Sequence, residues 1–510
     1  MSQTEPALYS GWQSERSGFI GNLSGLGFAL VAAAAIIAVS PFYTHSWSSA
    51  FIALPVSFLL LALAYGRVLG LSADEWIILA VRHQIAVATQ RNLFFSGLFA
   101  PRAKDGSQPM DLPGRLARLH LLEAPDGLGG QIGIMHNPAP AENTYTAICR
   151  VTFPGLALID TERQNARVQG WAAFLRSHCK EDGAITRISV HQRSLPDDGA
   201  ALRSWTERHI SPDAPPAAVQ ALDDLMEGAG PAATKRETYL AITLSAARAR
   251  LAIKGAGGGQ IGAAAVLVRE INAMSSSLSS AGLQVVEWLT PRGVAQVIRT
   301  AFDPEAQLAL SARNTAAEAP NWQGAPKGVD PELAGPAATE AGWGLYRHDG
   351  AWTVSYQVRR FPQSEVYATF LQPLLRPRAN ARRSLTLVYE PIGPAKARQE
   401  LAREKTKREA QRKLRAKTGR AESEDERREA MTARAQDVAR ASGHGVVRFT
   451  ALIAVTVTDL GELETACAEL QADASSAGLE IRRAWGAQDD AFAIAALPLG
   501  QGLPNRRVGI

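Results

Sequence analysis

From Phe19 to Gly66 the chain carries no Asp, Glu, Lys or Arg. Two apolar runs, Leu23–Val39 and Ala50–Tyr65, are separated only by the polar turn Ser40–Ser48. Each run approaches the length of about 20 residues that crosses a hydrocarbon core of about 30 Å. A cleaved signal peptide would need a basic region ahead of the first run, and Met1–Glu15 holds only Glu5 and Glu15 as charges. A buried pair of core helices would rarely extend so far without a charge. The expectation is a transmembrane helical hairpin over 21–66, preceded by a cytoplasmic tail at 1–20. Arg16 lies before the first run and Arg67, Arg82 and Arg91 follow the second, whereas the turn has no basic residue. The positive-inside bias then places both termini in the cytoplasm of a multi-pass protein of the inner (cytoplasmic) cell membrane. Trp12, Tyr43 and Trp47 fall near the expected interfaces, and Pro55 is expected to kink the second helix.

The 510 residues leave room for two or three domains beyond that hairpin. Lys and Arg total 54 against 49 Asp and Glu, a net charge of +5. This mild basicity suits an anionic surface and permits nucleic acid, but requires neither. Cys149, Cys179 and Cys467 are far apart without CxxC spacing, as expected of small buried hydrophobes in a reducing compartment.

Residues 67–114 read as a membrane-proximal helix and linker. Ser72 and Glu75 have capping-box spacing ahead of a helix over Trp76–Thr89. A first α/β domain is expected over 115–306, a linker rich in Ala, Pro and Gly over 307–340, and a second α/β domain over 341–505. Ser279-Ser-Ala-Gly-Leu283 recurs as Ser475-Ser-Ala-Gly-Leu479, each time where a helix should stop at Gly and feed a strand ending near Trp. The predicted fold class is therefore α+β: the hairpin, then two ferredoxin-like (split βαβ) cytoplasmic units. An insertion at 395–440 holds 15 Lys/Arg and 9 Asp/Glu with few large apolar residues. It reads as one or two exposed charged helices, with docking to a partner protein or contact with nucleic acid as alternatives.

No segment carries recognisable chemistry. Ala256-Gly-Gly-Gly259 lacks the Gly-Lys-Ser/Thr ending of a phosphate-binding loop and reads as a connector. The nine histidines show no metal-ligand spacing, and there is no GxSxG elbow. The acidic pairs Asp197/Asp198, Asp223/Asp224 and Asp489/Asp490 read as turns or exposed helix faces. No catalytic, cofactor-binding or metal residue is assigned, no cofactor is expected, and the chain is expected not to be an enzyme.

Tyr9-Ser-Gly-Trp-Gln-Ser-Glu-Arg-Ser-Gly-Phe19 ahead of a hairpin resembles a set of actinobacterial membrane proteins of conjugative elements. Further matches are Trp352, Val358, Phe361-Pro362, Val366, Phe370-Leu371, Pro373-Leu374-Leu375 and Asp489–Pro498. Phe361-Pro362-Gln363 stands where the pattern has Trp-Pro-Arg. The soluble part also resembles the non-catalytic N-terminal domain of TraC/TrbE-type conjugation ATPases, through a helix, a strand and then Ala-Phe-x-x-x-x-Leu-Pro. The resemblance implies a scaffold of a type IV, conjugation-like secretion apparatus that docks a separately encoded TraC/TrbE-like ATPase beside a PrgI-like membrane protein, within a multi-subunit complex. An EccE-like component of a type VII system, or a membrane-bound enzyme with an unrecognised site, remain the alternatives.

Overall fold

The computed structural model describes residues 25–503 apart from 45–46, 69–70, 98–109, 154–159, 197–205, 230–233, nearly all of 401–444 and a few single or paired positions elsewhere. Helices α1 (Gly25–Thr44) and α2 (Trp47–Tyr65) form a hairpin. A ribbon of β1 (Arg67–Val68) and β2 (Leu71–Ser72) leads into α3 (Ala73–Ala88). Strand β3 (Leu93–Phe95) then joins the edge of one antiparallel sheet of 13 strands.

That sheet is built twice over. The first unit has a hairpin of β4 (His120–Pro125) and β5 (Gln131–Asn137), followed by β6 (Thr144–Thr152), α4 (Thr161–Ser177) and β7 (Ile185–Pro196). It continues through α5 (Pro216–Ala229), β8 (Thr234–Ser245), α6 (Arg250–Gly255), α7 (Gly259–Ser280), β9 (Gln284–Trp288) and α8 (Pro291–Phe302). Helix α9 (Ala306–Ala316) leads to the second unit, which opens on the hairpin of β10 (Ala338–Ala341) and β11 (Tyr346–His348). It continues as β12 (Ala351–Arg360), the 3-10 turn Gln372–Leu375, β13 (Arg382–Ile392), β14 (Val446–Val457), α10 (Leu463–Ser476), β15 (Glu480–Arg483) and α11 (Gln488–Ala495). The first unit pairs in the order β9-β6-β8-β7 and the second in the order β15-β12-β14-β13. Both are the fourth-first-third-second order of a split βαβ fold. The units meet second strand to second strand, β7 against β13, antiparallel from Ser384 opposite Arg193 to Tyr389 opposite Ile188. A local two-fold relation would place them this way.

Strand alternation divides the interior into two faces. On one face α4 and α7 cover Tyr145, Ala147, Cys149, Leu240 and Ile242, while α10 covers Val354, Tyr356, Ile453 and Val455. On the other face α8 and α11 share a single core with Ile148, Tyr239, Ala241, Leu452 and Ala454. The helix ends repeat as well. Gly282 and Gly478 have φ of +77° and +69°, and each is followed by a Leu whose amide bonds back to the last helical turn, on Leu278 and Ala474. Only glycine holds that left-handed cap without strain, which explains the duplicated Ser-Ser-Ala-Gly-Leu.

Two expectations are corrected. The transmembrane hairpin fails because, among the described residues, no helix is long and apolar enough to cross a membrane. In α1 the unbroken apolar stretch ends at Val39, before Ser40 and Pro41, and spans about 22 Å at about 1.5 Å per residue. In α2, Pro55 and Ser57 interrupt the run that follows Ser48-Ser49. The multi-pass inner-membrane placement, the cytoplasmic termini and the membrane character drawn from that hairpin fall with it. The two units are also not separate bodies of sheet, because β7 and β13 fuse them. The tail at 1–20 and nearly all of the charged insertion lie outside the described residues. Residues 307–340, read as a linker, contain α9 and the start of β10.

Candidate interaction surface

The α1–α2 hairpin is closed by small residues. Ala34, Ala53 and Ala64 are buried, and the Ser57 hydroxyl donates to the Ala34 carbonyl at 2.9 Å. The large side chains point outward: Phe51, Phe58 and Ile36 are 84%, 73% and 71% exposed. Exposure of single apolar residues is ordinary, but a charge-free pair of helices presenting this many is a contiguous sticky surface. Helix α3 extends it with Ile77, Val81 and Ile85, spaced four residues apart along one exposed face, while Leu79 is buried.

The same helix fixes the hairpin to the sheet. The Trp76 ring packs on Trp343 and Trp485 at 5.6 and 6.3 Å between centroids, and His83 meets Trp343 edge-on at 5.3 Å. An Arg82 Nη2 donates to Asp490 Oδ2 at 2.9 Å. Beyond α3, strand β3 zips onto β10, with Thr339 opposite Phe94. Trp485 comes from the segment between β15 and α11, Asp490 from the first turn of α11, and Trp343 from the β10–β11 turn. The apolar face is therefore carried by the second unit.

The residues weighed from sequence are scattered. Cys149, Cys179 and Cys467 are buried and unpaired, and burial pushes the Cys149 thiol up to about 12. Asp223 and Asp224 are exposed on α5, and Asp197/Asp198 lie outside the described residues. The reading of Asp489/Asp490 as surface is corrected. Asp490 is buried, and burial followed by the neighbouring Asp490 charge raises the Asp489 pKa. Gly257, Gly258 and Gly259 all have positive φ ahead of α7, with open space around them. Among the described residues no group of three or more His, Cys, Asp or Glu could hold a metal ion.

Sequence reading missed the polar interior between the sheet and the α8/α11 layer. Arg193 donates to Glu237 Oε2 at 3.1 and 2.9 Å and to Thr300 Oγ1 at 3.0 Å, and Tyr239 donates to the same carboxylate oxygen at 2.7 Å. Across the β7–β13 seam, the Thr386 hydroxyl donates to the Ala495 carbonyl, so it accepts from His191 Nδ1 at 2.8 Å. His191 is fully buried, and burial, with Arg193 adding to it, pushes its pKa down to about 3. The segment after α11 runs over this polar face: Arg187 donates to the Gly500 carbonyl at 2.8 Å and Arg115 to that of Gly502 at 3.1 Å. A Cβ at Gly500 would lie 2.4 Å from Thr243 Oγ1. The glycines at 500 and 502 were the sequence signal for that close approach. A scan against protein-family models finds no match to this chain, and a search of curated proteins finds no similar sequence.

Proposed function

We propose that this protein is a non-catalytic assembly scaffold that docks a separately encoded TraC/TrbE-like ATPase of a conjugation-like secretion apparatus. The observation that carries this reading is the uncharged apolar hairpin fixed, through α3, to a 13-strand platform. Such an arrangement suits a part whose task is to hold a partner at a set distance and orientation, since a large exposed apolar surface marks an interaction site. The resemblance of the part after the hairpin to the N-terminal domain of conjugation ATPases supplies the partner class. The test is in-cell crosslinking of the full chain, tagged, in its native host. A TraC/TrbE-like ATPase should be recovered from wild type and reduced at least about fivefold by Phe51→Asp with Phe58→Asp, since buried charges oppose an apolar contact. Failure to recover such an ATPase, or recovery unchanged by the double substitution, overturns the reading.

A further inference from the structure

Beyond α11, residues 498–503 run from the second unit across the first without joining the sheet. Among the described residues this segment makes no backbone–backbone hydrogen bond. It is covered all the same: Leu499 is 1% exposed, and Gly500, Gln501 and Gly502 are buried. Its seat is assembled from distant parts of the chain. β6 supplies Thr146, β8 supplies Thr243, β7 supplies Arg187, and the 3-10 turn Gly114–Arg118 supplies Arg115.

The seat is selective in shape and in polarity. A Cβ at residue 500 would collide with the Thr243 hydroxyl and with the hydroxyl and methyl of Thr146, and one at 502 with the Arg187 guanidinium. Gly500 also has a φ of +65°, which a side chain tolerates poorly. Arg187 and Arg115 donate to the carbonyls of these same two glycines, so the seat reads main chain. Leu499 enters the core under α8 and α11, and Leu503 packs at its edge. The seat is also self-sufficient when vacated. Arg187 keeps Glu390 at 3.3 Å and Glu142 at 3.8 Å, and the Thr146 and Thr243 hydroxyls pair at 3.0 Å. Emptying it therefore strands no charge, and its polar groups exchange carbonyls for water.

We infer that this seat is a peptide-binding groove for a Leu-Gly-x-Gly-Leu segment, occupied by the chain's own residues 499–503, which form a strap that detaches while the sheet stays folded. Seated, the strap ties the end of the second unit to three strands of the first. Detaching it uncovers one fully buried leucine and two guanidinium-to-carbonyl bonds that water replaces, far less surface than opening the sheet itself. The vacated groove then accepts a separate peptide of the same pattern.

The test uses the full chain and a fluorescent heptapeptide with the sequence of residues 497–503, Leu-Pro-Leu-Gly-Gln-Gly-Leu, followed by anisotropy. Gly500→Val unseats the strap, so this variant should bind the peptide at least about tenfold more tightly than wild type, whose groove is filled. Adding Arg115→Ala should weaken that binding about tenfold, the loss of one charge-assisted contact. A heptapeptide that itself carries Gly500→Val should bind neither protein. Hydrogen exchange in wild type asks the same question without any variant. Amides of residues 499–503 should exchange at least about tenfold faster than those of β6 and β8, and faster still in dilute urea, the mark of an opening that uncovers surface. Strap amides as slow as those strands or indifferent to urea, or a peptide with no preference for Gly500→Val, overturn the inference.

Discussion

Glu237 shows how a buried charge behaves at the centre of this sheet. Burial alone would raise its pKa, but the Arg193 charge and the hydrogen bonds from Tyr239 and Arg193 outweigh it, so the carboxyl titrates below its usual range. A group whose folded pKa lies below its unfolded value, about 4.3 for glutamate, stabilises the fold above that value. The contribution disappears as pH falls through the folded pKa. Glu237→Gln leaves Arg193, which is 6% exposed, without its counter-charge. Breaking a buried pair in this way costs about 3–5 kcal/mol. The expected result in urea unfolding is a deficit of that size at pH 7, which shrinks as the buffer is taken from about pH 5 toward pH 3. A deficit that does not depend on pH would mean the side chain acts through shape alone. His191 adds little slope above about pH 7, where it is mostly uncharged in both states, but its folded pKa near 3 lies below the unfolded value of about 6.5, so stability falls as the pH drops between those values in wild type and variant.

Among the elements, α3 joins the apolar hairpin to the sheet, and its contacts are few enough to test. Trp76 makes two aromatic contacts with the second unit, each worth about 0.5–1.5 kcal/mol beyond area burial, and Arg82 adds one ion pair that is more than half exposed on the arginine side. Trp76→Ala should therefore release α3 locally without unfolding the sheet. Amides of Ala73–Ala88 should exchange at least tenfold faster while those of β12 and β14 keep their protection. Unchanged exchange in α3 would show that β3 and the Arg82 and His83 contacts hold the helix in place without Trp76. These elements also show what a sequence can reveal. The helix ends at Gly282 and Gly478, Pro291 at the start of α8 and the alternation in β12 were all readable, because each depends on a residue's own backbone preference or on a period of two. The hairpin was readable as two helices but misjudged in span, since Ser40, Pro41, Pro55 and Ser57 weigh little in a composition window. The Trp76–Trp343–Trp485 cluster and the Arg193–Glu237 pair were not readable, because each joins residues distant in sequence whose meeting depends on which strands pair.

At the scale of the molecule, the decisive feature is the β7–β13 seam, where two copies of one strand order become a single sheet. β7 pairs on both sides, with β13 and with β8, so its backbone belongs to both units at once. The core under α8 and α11 likewise draws on both, mixing Tyr239 and Val294 with Leu452 and Phe492. If the seam is structural rather than incidental, the units should unfold together. Val190 sits at the middle of β7, opposite Leu387 in β13 and Leu240 in β8. Proline there removes a donor and clashes within a central strand, at a cost of about 3 kcal/mol or more. In a coupled sheet, Val190→Pro should lower protection against hydrogen exchange in β12 and β15 of the second unit as much as in β6 and β9 of the first. Thermal unfolding should remain one transition, shifted down by roughly 2–4 °C per kcal/mol or less in a chain of this size. A variant that melts in two steps, with β12 and β15 protected as in wild type, would show two independent domains that merely touch.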